Sequence, residues 1–121
     1  MAEITIKRVY DPYEEGDGYR VLVDRLWPRG IKKEAVHLSA WEKEVAPSSE
    51  LRKFFNHKPE LFGMFREKYL IELRTQTDKI RKMEELYEIS KKQKLTLLYA
   101  AKDTVNNHAI VLMEELLKKE I

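Results

Sequence analysis

The stretch Lys94-Leu95-Thr96-Leu97-Leu98-Tyr99-Ala100-Ala101, KLTLLYAA, is short, apolar on both faces and followed by the polar run KDTVNN. A run of this length without strict alternation fits a strand buried on two sides, and so predicts the central strand of a sheet. Upstream, Tyr19-Arg20-Val21-Leu22-Val23, YRVLV, carries apolar residues pointing both ways and reads as a second buried strand. A long helical excursion separates the two, which is what a parallel pair needs for its crossover. Together they predict an α/β fold: a small mixed, partly parallel sheet covered by helices.

The flanking segments complete this picture. Ile4 to Tyr10, ITIKRVY, sets Ile4, Ile6 and Val9 against Thr5 and Lys7, and Asp11-Pro12 ends the run, so it predicts a first strand with one solvated side. The loop PYEEGDG is too short for a parallel crossover, so direct pairing of the first two strands would be antiparallel. From Lys32 to Gln93 the pattern turns helical. HLSAWEKEVA predicts a short helix around Trp41, ended by Pro47, after which Ser48 or Ser49 caps a helix through Leu51, Phe54 and Phe55. Pro59 starts the next helix, with Phe62, Phe65, Tyr69 and Leu73 on one stripe. Ile80, Met83 and Tyr87 continue that stripe after a break near Thr75 to Thr77. A last helix buries Ala109, Leu112 or Met113, and Leu116, capped by Asn106 or Asn107 and ending at Lys118-Lys119.

A chain of 121 residues without repeats or linkers predicts a single domain over residues 1–121, large enough to bury roughly two thirds of its extended surface. There are no cysteines, which excludes disulfides, thiolate metal sites and cysteine nucleophiles and fits a reducing cytoplasm. The start MAEITIKRVYD has no basic stretch followed by an apolar signal core, and no apolar run approaches membrane-spanning length. The expectation is a soluble cytoplasmic protein without a membrane partner. Lys and Arg number 23 against 21 Asp and Glu, a net charge of +2 with the signs interspersed, which argues against a nucleic-acid footprint.

Ligands of parallel sheets bind outside the carboxyl ends of the strands. That rule brings together Asp24-Arg25-Leu26-Trp27-Pro28-Arg29-Gly30, which follows the second strand, and the segment KDTVNNHA after the KLTLLY strand. Arginine offers a flat fork of donors that matches carboxylate or phosphate, and Pro28 with Gly30 limits the directions Arg29 can take. Backbone N–H groups at the start of the last helix add partial positive charge. The candidate site therefore holds Arg25, Trp27, Arg29, Asn107 and Tyr10 as ligand-binding residues, with Asp24, Asp103 and His108 as acid, base or orienting groups. Structural readings stand beside these: Asp24 with Arg25 or Arg29 as an ion pair under a Trp27 lid, and Asn106 or Asn107 as helix caps. His37 and His57 have no partner at ligand spacing, so no metal site and no cofactor is expected.

The segments RVYDP, GYRVLVDRLWPRG, WEKEVAPSSELRKFFNHKPE, FREKY and LLYAAKDTVNNHAIVL resemble the YeaO-like branch of the family called domain of unknown function 488, over about Ile4 to Leu117. The resemblance implies a small bacterial or archaeal cytoplasmic α/β protein and carries no reaction with it. It also implies that the recurring polar positions include Tyr10, Asp11, Asp24, Arg25, Trp27, Arg29, His57, Asp103, Asn107 and His108. In the wider family the last motif often looks like Cys-His-Arg, where this chain has Asn107-His108-Ala109. Three functions compete: a small enzyme or former enzyme holding an anionic small molecule between DRLWPRG and NNHA, a protein-interaction module centred on Trp27, and nucleic-acid binding through Arg25, Arg29, Lys32 and Lys33.

Overall fold

The computed structural model describes residues 3–120, so residues 1, 2 and 121 of the expected domain span lie outside the described residues. Four strands, β1 (Ile4–Arg8), β2 (Tyr19–Leu22), β3 (Ala40–Trp41) and β4 (Leu95–Tyr99), form one sheet in the order β1-β4-β2-β3. Every pairing is parallel: Ile4 lies against Leu95, Tyr19 against Leu95 and Val21 against Ala40. The KLTLLYAA segment is central, as its two apolar faces require, and all five β4 residues are buried. The conditional antiparallel pairing of the first two strands is corrected, because β4 inserts between them and each pairs with it instead. Gly18 enters β2 with φ 68°, and a Cβ there would sit 2.4 Å from the Lys94 carbonyl that accepts from the Tyr19 amide.

Among the described residues there are five α-helices, α1 (Lys33–Val36), α2 (Ser49–Phe55), α3 (Phe62–Thr75), α4 (Thr77–Lys92) and α5 (His108–Leu117). Side chains alternate across the sheet, so Val21, Val23, Leu95, Leu97 and Tyr99 face the main core with Phe65, Tyr69, Met83, Leu112 and Leu116 of the helices. Leu22, Leu98 and Val9 face a thinner second layer made by Val36, Trp27, Ile31, Leu38 and Trp41. The caps fall where the chain signals them: Ser48 accepts from the Leu51 amide, and the break between α3 and α4 falls at the extended residue Gln76.

Two local expectations are corrected. Trp41 lies in β3 and not in a helix, since Ser39 and Glu42 donate to the Arg20 and Leu22 carbonyls on the open edge of β2, and the Trp41 indole donates to the Asp24 carbonyl. The helical pieces, α1 and a single turn at Lys43–Val45, are displaced to either side, which shows a ladder edge overriding local preference. The stripe of α4 keeps Met83 but takes Lys79 and Leu86 in place of Ile80 and Tyr87: Ile80 is 37% exposed and Lys79 is 4% exposed. The break at Gln76 restarts the helix in a new phase, burying Lys79, Met83, Leu86 and Ser90.

At the amino end of the second layer, the polar residues of β1, β2 and β4 hold one another. Asp17 receives Lys7 at 3.0 Å, the Glu14 amide at 3.1 Å and the Arg20 guanidinium, while Arg20 also donates to the Val36 carbonyl at 2.9 and 3.2 Å. Burial alone would raise the Asp17 carboxyl, but the hydrogen bonds from Lys7, Glu14 and Arg20 outweigh it and hold it below the ordinary value of 3.8. A depressed carboxyl contributes stability that is present above the unfolded pKa and is lost as pH falls through the folded one. Urea unfolding of Asp17→Asn is expected to show a loss of about 3 kcal/mol near neutral pH, because Arg20 stays buried without its charge partner. Below about pH 4 the gap to the parent protein should narrow. A gap that stays constant across that range would refute the assignment.

Candidate functional site

The chain leaves β2 onto the second layer, through Trp27 and Ile31 to Val36, and leaves β4 onto the main core, through α5. In parallel sheets the place where the loops of neighbouring strands part to opposite faces is where ligands bind, and Asp24 lies at that parting. Its Oδ2 accepts from the Ala100 amide at 3.1 Å, and its Oδ1 lies 3.2 Å from His108 Nε2. The same Nε2 is 3.0 Å from the Val23 carbonyl, which can only accept, so Nε2 carries the proton and donates to that carbonyl. Asp24 Oδ1 is buried and accepts no hydrogen bond among the described residues, although His108 stands beside it. The His108 ring stands edge-on to Tyr69, whose hydroxyl donates to the Val45 carbonyl at 2.6 Å. Burial, reinforced by the Glu72 and Asp24 charges against Arg25, pushes the Tyr69 phenol well above its ordinary range, so it is a neutral donor.

The other expected residues are placed differently. Asn107 is 1% exposed and caps α5, its Oδ1 accepting from the Ile110 amide at 3.0 Å while its Nδ2 donates to the Asp103 carbonyl at 3.0 Å. Asp103 holds the approach to that cap, accepting from the amides of Val105 and Asn106 and from the Asn106 side chain, and these hydrogen bonds keep its carboxyl below the ordinary range. Trp27 turns inward, packing edge-on against Trp41 with ring centroids 5.3 Å apart and donating to the Ile31 carbonyl. Tyr10 donates to the Arg29 carbonyl, and the Arg29 side chain is exposed. Arg25 turns the other way, toward the Ala46 and Pro47 carbonyls at 3.4 Å. Asp24 and His108 are thus brought together, while Arg25 and Arg29 diverge from them and from each other. Among the described residues neither arginine forms an ion pair with Asp24, and no three or more His, Cys, Asp or Glu side chains gather in a way that could hold a metal ion. His57 is exposed, and His37 stacks on Tyr13.

The turn of Arg25 exposes a neighbourhood that the reading of the chain missed. A cleft of about 530 Å³ is lined by Arg25, Glu44, Lys79 and the first residues of α4. Lys79 donates to the Glu44 and Ala46 carbonyls at 2.9 and 2.7 Å, and Glu72 beside it accepts from the Ser48 amide and hydroxyl. Burial lowers the Lys79 ammonium from its usual value, opposed by the Glu72 charge and assisted by Arg25. The legible signal was the TQTD break, which places a helix start there; a lysine inside that first turn reads from sequence as solvated.

Two substitutions test this placement by chemical denaturation. Asn107→Ala removes an N-cap acceptor and is expected to lower stability by about 1–2 kcal/mol, with Asn107→Asp much milder because it keeps the acceptor. Asp24→Ala strands the Ala100 amide and is expected to lower stability by about 1–3 kcal/mol. No change in either would mean that these side chains do not hold the two loops together.

The family model described as "Inactive DUF488-N3 subclade" matches residues 3–120. The chain is similar to the uncharacterised protein YeaO of Escherichia coli (strain K12), 54% identical over 111 residues that cover 92% of this chain and 94% of that one. It is also similar to uncharacterised proteins of Mycobacterium bovis and Mycobacterium tuberculosis, each 37% identical over 92% of this chain and 91% of theirs. No solved structure matches the chain.

Proposed function

We propose that this chain, which belongs to the family described as the inactive DUF488-N3 subclade, is a former enzyme that keeps a binding site for an anionic small molecule at the carboxyl edge of its sheet. The observation that carries the reading is the occupation of Asn107. The resemblance puts a cysteine of a Cys-His-Arg motif at this place, at a helix start, where positive charge lowers a thiol pKa and makes a nucleophile. Here Asn107 spends its carbonyl on the Ile110 amide and its amide on the Asp103 carbonyl, leaving no nucleophilic atom. Ala109, fully buried, offers no arginine. The Asp24–His108 pair is then an orienting and bracing contact, and Arg25, with two long hydrogen bonds, is the group of the DRLWPRG loop best able to exchange protein carbonyls for a ligand. The absence of cysteine fits a cytoplasmic setting, and no helix among the described residues is long and apolar enough to cross a membrane.

Thermal-shift screening of phosphates, nucleotides and carboxylates tests this reading. One class is expected to stabilise the protein by about 2.7 kcal/mol at a hundredfold excess over its Kd, with the shift lost in Arg25→Ala. Incubation with the stabilising compound, followed by NMR, is expected to show it unchanged. Turnover, or no stabilising anion at all, would overturn the proposal. A second reading has one observation in its favour: Leu26 and Val105, on the two loops that Asp24 joins, are 66% and 63% exposed. A protein partner at this edge would dock on them and not on the inward-facing Trp27, so its binding should survive Trp27→Phe and fail in a Leu26→Ser, Val105→Ser variant.

A further inference from the structure

The first turn of α4 and the two cations beside it leave a set of hydrogen-bond donors unused. Gln76 precedes the helix without a side-chain cap, and the amides of Thr77, Asp78 and Lys79 have no acceptor among the described residues. A helix start alone attracts anions only weakly, but here two side chains add to it. Lys79, 4% exposed, has three N–H bonds and two acceptors, the Glu44 and Ala46 carbonyls, so its third N–H has no acceptor among the described residues and borders the cleft. Arg25 holds its two carbonyls only at 3.4 Å, and its remaining N–H groups have no partner among the described residues. All of these border the same cleft of about 530 Å³, a volume in the range of small-molecule sites.

The rest of the lining narrows the ligand. Glu44 and Asp78 also face the cleft, so a polyphosphate would meet two like charges. Thr75, Gln76 and Thr77 make the remaining wall polar, which gives an aromatic or alkyl body nothing to pack against. A single anionic head would sit on the Lys79, Arg25 and α4 donors, and a body rich in hydroxyls could donate to the two carboxylates. We propose that the cleft between Arg25 and the first turn of α4 is the seat of the anionic ligand and takes a sugar phosphomonoester, with Arg25, Lys79 and the Thr77 amide holding the phosphate. This rests on the reading of the protein as an anion binder and moves the ligand from the His108 side of Asp24 to the Lys79 side. The lowered Lys79 ammonium accords with it, since a buried cation lacking a full set of acceptors is what a bound phosphate would complete.

Titration of the full-length, nitrogen-15-labelled protein with glucose 6-phosphate, inorganic phosphate and glucose tests the assignment. Glucose 6-phosphate is expected to shift the amides of Thr77, Asp78 and Lys79, to bind more tightly than phosphate, and to be matched by no shift with glucose. Arg25→Gln and Thr77→Pro are each expected to weaken binding about tenfold. Thr77→Pro is a fold-conserving variant, because proline is accepted at the first helical position and the extended residue before it suits a following proline. Lys79→Met should abolish binding, and the proline variant keeps the question open to decision even if the loss of Lys79 unfolds the chain. Shifts confined to Asn107 and His108, with Thr77→Pro unaffected, would overturn this seat while leaving the anion-binding reading intact. Phosphate binding as tightly as glucose 6-phosphate would overturn the sugar assignment, and the absence of any anion-dependent shift would overturn both proposals.

Discussion

The structure depends on one pairing constraint: β4, almost the last element of the chain, must insert between β1 and β2. Its backbone serves two parallel ladders at once, with Leu95 opposite Ile4 on one side and Tyr19 on the other. The side-chain hydroxyls of Thr5 and Thr96, 91 residues apart, meet at 3.4 Å across one of those ladders. Until β4 arrives, β1 and β2 have no common neighbour, and the polar groups that later surround Asp17 have no β4 beneath them. Thr96 donates to the Asp17 carbonyl at 2.6 Å, so the same insertion closes the buried network at the amino end. Pairing with so distant a strand raises the sequence separation of the sheet's contacts, which slows folding.

The carboxyl end repeats this arrangement with different chemistry. Where β2 and β4 end side by side, their loops part to opposite faces, and Asp24 links them by accepting from Ala100 and facing His108. A site at such a parting has to be built from both loops. The pairing of Asp24 with His108 follows directly from strand order, which explains why it could be anticipated from the central position of KLTLLYAA and the two-faced YRVLV strand. The strand order does not determine where the long side chains of Arg25 and Arg29 go. Arg25 is drawn to the carbonyls of Ala46 and Pro47, which lie at the end of a single turn that the chain shows only weakly, and Arg29 follows a loop whose backbone is tied to Tyr10.

The parts of the fold that could not be read from the chain share a physical cause. β3 is two residues long, and only the open edge of β2 selects strand for Ala40–Trp41 where local preference favours a helix. Lys79 is buried only because two backbone carbonyls of the turn before Pro47 stand above it, a contact that spans 33 to 35 residues and leaves no trace in a local pattern. By contrast, Ser48, Asn107 and the break at Gln76 were legible because a helix end is a short-range problem: orphaned amides need an acceptor within a few residues.

The same short-range logic separates the shape of the α5 start from any chemistry placed there. The start of α5 must be held so that His108 reaches Val23 and Asp24, and any good N-cap at position 107 does that work. Asparagine is among the best caps, whereas a cysteine would leave the amides it faces less well satisfied and would be held there by its chemistry and not by its contribution to stability. A capping residue at position 107 secures the helix start and keeps the neighbouring histidine hydrogen-bonded to Val23 and beside Asp24. Binding is not tied to that position. Arg25 and Lys79 line a cleft whose donors are independent of residue 107, so what the cleft can hold does not depend on which residue caps α5.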